Sequence, residues 1–430
     1  MSSLLGTLLE AQSPELNLEQ SEAMRLLASD DNVFLTGRAG TGKSYVIKAF
    51  MKGVDDRFFP ILASTGAAAV LVGGRTFHSF FGLGIMEGGA EATIERALKD
   101  RRLDRRLDRR LRKAKGFILD EVSMIPGIVL NVAERIASTV RQDPRPWGGL
   151  KVIAVGDFAQ LPPVNPHQNI RSPRDWSFKS DAWLKSNFQS ICLNQIMRSA
   201  DDLEFCEILN DVRLGNVSSR VIQFLEKHKS QTLPKDFEGT VLFARKVDVD
   251  RINRSKLSLL KTPSKIFTTQ YTGNEKLVSI LKNNAPILEE IELKKGALVM
   301  CRQNDSKGRF VNGSLGHVER MDDESITVRL VGGNFVELEK VKFSMLDAEG
   351  NEVAVAKNFP ISLAYALTIH KSQGSTLDRA TVSLRDLWEP GQAYVALSRL
   401  RTSSGLKVED WDEDSIISDK DVQKFYQSIV

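Results

Sequence analysis

Three cysteines stand in 430 residues, at Cys192, Cys206 and Cys301. They lie far apart and make no CxxC, which excludes a disulfide framework and a zinc knuckle. The five histidines are dispersed and no carboxylate cluster has metal-ligand spacing, so no resident metal site is expected. No apolar run approaches the roughly 18 residues of a membrane span. The segment MSSLLGTLLEAQSPELN at the N-terminus lacks a basic flank, and Gly6 and Thr7 interrupt its apolar stretch, so no secretory signal is expected. These absences point to a reduced, soluble, cytoplasmic protein. Strong net charge is missing too: the chain sums to only +4. That total hides a concentration, since Lys99–Lys115 (KDRRLDRRLDRRLRKAK) carries a net +7 and the remainder sums to −3.

With 42% apolar and 27% charged residues, a wholly disordered chain is excluded. At roughly 100 to 200 residues per domain, the length predicts two to four domains. The first chemistry lies in NVFLTGRAGTGKS, residues 32–44. Val33–Leu35 is a short run of strand formers, a glycine-rich loop follows, and YVIKAFM is helical in pattern. Strand, GxxxxGK[ST] and helix together make a phosphate-binding loop. Gly37, Gly40 and Gly42, with Ala39 and Thr41 between them, let backbone N–H groups point at phosphate oxygens. Lys43 offers a fixed cation and Ser44 a hydroxyl for Mg²⁺. A nucleoside triphosphate and its Mg²⁺ are therefore the expected cofactors.

A second apolar run, Phe117–Leu119, ends in Asp120-Glu121. An acidic pair at the end of a parallel strand suits a metal-holding Asp120 and a water-activating Glu121. The run KVIAV (151–155) leads into GDFAQLPPV, where Gln160 is placed to sense a γ-phosphate. Such strands describe a doubly wound parallel sheet with its ligand at the strand C-termini. Thr240–Phe243, Ile361–Ala366 and Ala380–Leu384 read as strands of a second sheet lacking a phosphate loop. Between them, Lys265–Gly350 alternates in short runs with glycine turns and reads as an inserted antiparallel barrel.

Together these residues resemble the Pif-type DNA helicases, a RecD-like branch of superfamily one. The resemblance also rests on LNLEQSEAM (16–24), STGAAA (64–69), RTFHSFFGL (75–83), LDEVSM (119–124), RPWGG (145–149), LNQIMRS (193–199), LAYALTIHKSQGSTLD (363–378) and AYVALSRLR (393–401). It implies two RecA-like domains with ATP in the cleft between them, a small wedge insert near 72–95, and an SH3-like insert. The expected boundaries are 1–190 for the first domain, 191–264 with 351–430 for the second, and 265–350 for the insert. The resemblance further implies 5′-to-3′ movement on single-stranded DNA by a monomeric motor, acting on 5′-tailed duplexes and on folded DNA such as G-quadruplexes. It gives Gln20 to the adenine base, Gln373 and Gly374 to the nucleotide, and Arg198 and Arg399 to transition-state charge. Ser64, Thr65, Thr76, His78, Ser79, Phe80, Thr368, His370 and Lys371 fall in segments matched to DNA contacts.

Blander readings stand beside these. Phe77, Phe80 and Phe81 have the spacing of a helix's core face as well as that of a stacking platform, and at least one is expected in the core. Trp147 is expected to pack its turn. In the basic segment, Leu103, Leu107 and Leu111 trace an apolar stripe on a helix, with arginines stacked like on like at i, i+4. That arrangement gains from a polyanion, or else forms a solvated arm. A non-motor alternative is an ATP-switched clamp that binds single strands without unwinding.

Overall fold

The structure is a computed structural model that describes residues 16–64, 75–83, 86, 89–99, 101–163, 174–197, 202–231, 239–284, 287–303, 305, 308–310, 312–346 and 352–429. Within the helix at 101–113, only the backbone path is described over 101–106. The chain divides into two compact units, residues 1–200 with 419–430, and residues 201–418. The first boundary thus lies ten residues beyond the expected one. The last helix also leaves the second domain, to which 351–430 was expected to belong, and returns to the first.

Unit one is built on six parallel strands: β1 Val33–Gly37, β2 Ile61–Ala63, β3 Arg75–Thr76, β4 Gly116–Asp120, β5 Lys151–Val155 and β6 Gln189–Leu193. Their order across the sheet is β3-β2-β4-β5-β1-β6. β1 is buried throughout, and in β4 only the terminal Asp120 is not. Strands covered on both faces read as unbroken apolar runs, which is why they were legible without alternation. The helices are α1 Leu18–Ala28, α2 Lys43–Met51, α3 Phe77–Phe81, α4 Gly89–Lys99, α5 Arg101–Lys113, α6 Gly127–Arg141 and α7 Asp181–Ser186.

The basic segment is the helix α5. Leu107 and Leu111 are buried in the same core as Phe77, Phe80, Phe81 and Phe117, and Arg109 and Arg112 are exposed. Arg112 pairs with Asp108 at 2.6 Å. Those aromatic rings settle the fate of the Phe77/Phe80/Phe81 set. Phe80 is 2% exposed, sits edge-on to Phe81 at 5.0 Å, and has the Arg110 guanidinium over its face at 5.4 Å. The expected stacking of a base on Phe80 is therefore corrected: all three rings are core. Trp147 is likewise buried and donates its indole N–H to Ser186 Oγ at 2.7 Å.

Unit two carries α8 Leu203–Leu214, α9 Ser219–Ser230, α10 Lys246–Ser258, α11 Glu275–Asn284, α12 Ile369–Ser372 and α13 Gln392–Leu397. Its parallel sheet has Ala366–Thr368 at one edge, then Thr240–Phe243, Ala380–Leu384 and Leu406–Trp411. A five-stranded antiparallel sheet runs from Phe335–Glu339 through Ser325–Leu330, Leu315–Met321 and Leu298–Cys301 to Ile361–Leu363. It shares one core with the antiparallel pair Ser264–Thr268 and Glu290–Lys294, through Phe267, Ile291, Val299, Val318 and Ile361. A three-stranded sheet of Gln270–Gly273, Val341–Leu346 and Glu352–Asn358 completes the antiparallel part.

The single strand expected over Ile361–Ala366 is two. Leu363 pairs with Val299 in the antiparallel sheet, while Ala366 pairs with Val241 in the parallel one. The chain changes sheets at Ala364–Tyr365, so the antiparallel part ends beyond the expected Gly350. The final helix, α14 (Lys420–Ile429), packs Val422, Phe425 and Tyr426 onto the core of unit one. Among the described residues, no helix is long and apolar enough to cross a membrane.

Candidate nucleotide and nucleic-acid site

The glycine loop follows β1 and ends in α2. Gly42 holds the helix N-cap position at φ 92°, with no side chain capping the first turn. A Cβ there would also lie 2.6 Å from Gln20 Nε2. The positive φ favours glycine, a Cβ would in addition displace the Gln20 amide, and the helix N-terminus without a side-chain cap suits an anion. Lys43 Nζ lies 2.8 Å from the Gly37 carbonyl and 3.1 Å from that of Arg38. Thr41 is buried and donates to the Arg38 carbonyl at 2.9 Å. Ser44 is exposed at the start of α2, and Ala39 and Gly40 are half-buried in the loop.

Gln20 reaches this loop from α1. It is third in the helix, forms a capping box with Asn17, and sends Nε2 to the Thr41 carbonyl at 3.3 Å. Its side chain is thus seated against the loop by a local helix-start signal.

Asp120 ends β4. Burial pushes its carboxyl above the usual carboxylate range, while the Glu121 N–H at 2.9 Å and the Lys43 charge pull it down. Glu121 sits in the left-handed region at φ 52°. For a residue with a Cβ, that conformation costs on the order of 1 kcal/mol, and such strain clusters at functional sites. Gln160, buried, lies in the loop after β5 with its N–H on the Asp157 carbonyl at 3.0 Å. The cradle lysine, acidic pair and glutamine therefore gather at the C-terminal edge of one parallel sheet.

Residues matched to DNA contact divide between the units. In unit one, Ser64 follows β2 and donates to Met124 Sδ at 3.6 Å. Thr76 caps α3, accepting the Ser79 N–H at 3.1 Å. Burial lowers the His78 pKa, which favours the neutral imidazole. Thr65 and Arg198 lie outside the described residues.

In unit two, Thr368 repeats the capping role, accepting the Lys371 N–H at 3.2 Å. His370 Nε2 lies 3.4 Å from Glu389 Oε2. Burial, Arg302 and Lys246 all hold the Lys371 ammonium below its ordinary pKa, against the pull of Asp250. Gln373 donates its N–H to the His370 carbonyl at 3.2 Å, and Gly374 follows it at φ 75°. Arg399 is buried, with Nε on the Val395 carbonyl at 2.9 Å and Nη2 on Ser398 Oγ at 2.9 Å. Its guanidinium is thus turned onto the C-terminal end of the preceding helix α13 and, at 3.5 Å, onto the Ser375 carbonyl.

Two groups beside the C-terminal ends of β1, β5 and β6 escaped the sequence reading. Glu19 Oε2 accepts the N–H groups of Asn194 and Gln195 at 2.8 and 3.0 Å, tying α1 to the segment after β6. Tyr426 reaches Thr36 and Asp157 from the end of the chain. No local pattern marks either.

The family model for PIF1-like helicase matches residues 15–223. The chain is 50% identical over 426 residues to the ATP-dependent DNA helicase Pif1 of Bdellovibrio bacteriovorus, covering 99% of this chain and 95% of that protein. The crystal structure of Pif1 helicase from Candida albicans superposes with a TM-score of 0.80 at 31% identity, over 97% of this chain and 100% of that one. Pif1 helicase from Bacteroides, in complex with ADP-AlF3 and single-stranded DNA, gives a TM-score of 0.68 at 29% identity, over 96% and 97% of the two chains. With half of its residues shared with one such helicase across nearly the full length of both, and with their α/β architecture of RecA-like sheets, this chain belongs to the family of PIF1-like helicases.

Proposed function

We propose that this chain is an ATP-driven DNA helicase that moves 5′ to 3′ along single-stranded DNA and separates duplex or folded DNA ahead of it. The observation that carries the reading is the cradle: a helix N-terminus with no side-chain cap, a glycine held at positive φ, and Lys43 beside Asp120. The relatives' names and the nucleotide and DNA in the Bacteroides complex support the same reading. In it, Lys43 holds the β/γ-phosphates and Gln20 the base. Glu121 takes the proton of the attacking water. Ser44 and Asp120 would hold Mg²⁺, which when bound neutralises phosphate charge. Gln160 orients the γ-phosphate, with Gln373 and Gly374 as further nucleotide contacts. Arg198 and Arg399 offset charge as the γ-phosphoryl leaves.

Single-stranded DNA is assigned to Ser64, Thr65, Thr76, His78 and Ser79 in the first unit, and to Thr368, His370 and Lys371 in the second. The Lys246, Arg302 and Lys371 cluster supports the latter, because three neighbouring cations are relieved by a phosphate. The exposed face of α5 is assigned to DNA on the same charge argument. A monomeric motor and activity on G-quadruplexes complete the proposal.

Strand displacement on 5′-tailed and 3′-tailed duplexes tests it. Displacement of the 5′-tailed substrate alone, with ATP, is expected. Equal activity on both tails overturns the polarity. DNA-stimulated hydrolysis with no displacement favours the ATP-switched clamp.

A further inference from the structure

The last helix brings one side chain to the phosphate edge of the first sheet. Phe425 of α14 stacks on Phe178, with ring centroids 4.4 Å apart and planes 16° from parallel. It also meets Phe34 at 5.9 Å and Phe158 at 5.4 Å. Phe34 lies within β1 and Phe158 just past β5, and the next residue along α14, Tyr426, reaches the C-terminal ends of both strands.

The Tyr426 hydroxyl donates to Asp157 Oδ1 at 2.9 Å, accepts the Phe158 N–H at 3.0 Å and lies 2.9 Å from Thr36 Oγ1. A phenol has one proton, so with that proton on Asp157 the Thr36 hydroxyl is the donor in the third contact. Asp157 and Thr36 are both fully buried. Asp157 also accepts the Ala159 N–H at 3.1 Å, and its carbonyl takes the N–H of Gln160 at 3.0 Å. On the other side, Thr36 precedes Gly37, whose carbonyl lies 2.8 Å from Lys43 Nζ. One oxygen atom thus joins the end of β1, which leads into the glycine loop, to the loop that carries the glutamine.

We propose that Tyr426 is a positioning residue for ATP hydrolysis, whose hydroxyl fixes the Lys43 loop and the Gln160 loop in one register. This rests on the reading of the cradle as the ATP site. Phosphoryl transfer depends chiefly on placement and preorganised charge, so loosening one loop against the other lowers turnover more than binding. A hydroxyl that merely satisfies buried polar groups under the helix would alter stability and leave kinetics intact.

The test uses the full chain and Tyr426→Phe, which keeps the ring and removes the hydroxyl. ATP hydrolysis is measured with saturating single-stranded DNA, alongside nucleotide affinity and Tm. We expect kcat to fall roughly tenfold or more, with KM and nucleotide affinity held within about twofold. Thr36→Val breaks the link from the other side and should lower kcat similarly. The double variant should be no slower than the worse single one, because both remove one connection. Unchanged kcat in Tyr426→Phe overturns the proposal, as do two losses that multiply in the double variant. Should Tyr426→Phe fail to fold, Thr36→Val carries the same decision. Wild type and Lys43→Ala run in parallel. If wild type hydrolyses ATP and Lys43→Ala does not, the ATP-site reading stands, and an unchanged Tyr426→Phe defeats the positioning role alone.

Discussion

Two strand-to-helix turns occupy comparable places in the two parallel sheets and do different things. β1 lies between β5 and β6, and Thr240–Phe243 lies between Ala366–Thr368 and Ala380–Leu384. Each strand feeds a helix. After β1, five residues intervene before α2, with Gly40 and Gly42 at positive φ. After Phe243, only Ala244 and Arg245 stand before α10, and the Arg245 guanidinium lies over the Trp388 ring at 5.7 Å. A parallel sheet therefore does not by itself make a phosphate cradle. The loop must be long enough, and glycine-rich enough, to turn its N–H groups inward. Where it is short, the same place in the sheet presents a cation on an aromatic ring.

The comparison breaks most completely at Lys43. Lys43→Ala should bring ATP hydrolysis and duplex unwinding to background, measured by phosphate release and strand displacement. Retained turnover would mean that the cradle is not the ATP site. In the other unit, Arg399→Ala should lower kcat by about 10³ with ATP affinity little changed, as a charge supplied to the transition state requires. Because Arg399 is bonded to the end of α13, the opposing outcome is concrete: a lowered Tm with kcat intact would make it a structural cap.

Glu121→Gln keeps the shape of the acidic pair and loses the base. Binding of ATP and DNA should persist while turnover falls by about 10². Near-normal turnover would remove Glu121 from the chemistry. Lys371→Ala should weaken single-stranded DNA binding by about tenfold and leave DNA-free ATPase unchanged. The log–log salt dependence of affinity should become shallower by about 0.7, the value for one phosphate contact on a single strand. Fluorescence anisotropy across several salt concentrations checks both.

The smallest effect is expected at α5. Replacing Arg109 and Lys113 with Gln should make that slope shallower by about 1.4 if both meet phosphate. An unchanged slope would leave α5 as a solvated face over a packed leucine stripe.

What the sequence disclosed followed from how local each signal was. The runs 33–35, 117–119 and 151–155 became buried parallel strands, and the glycine loop fell between strand and helix, because neighbours in sequence carry that information. Phe80 was ambiguous because a helix's core face and a stacking platform share one spacing. Only the packing of Phe117 and Arg110 around the ring separates them. Ile361–Ala366 looked like one strand because both of its halves are apolar. Nothing in six residues says that they belong to different sheets. Tyr426 was illegible for a related reason. Its partners are 390 and 269 residues away, and a lone tyrosine near the end of a chain has no pattern to read.

The return of α14 to the first unit has a consequence for the order in which the protein is made. Phe34, Phe158 and Phe178 are synthesised early, but the ring that packs against all three, Phe425, follows the whole of Asp201–Ser418. At about 5 to 20 residues per second, a ribosome would take roughly 10 to 40 s to cover that interval. During it, the first unit carries a bare aromatic face and lacks the hydroxyl that joins the end of β1 to the loop after β5. The first unit, although encoded first, is thus the later of the two to be completed, and a nascent chain cannot finish it until the second unit has already been made.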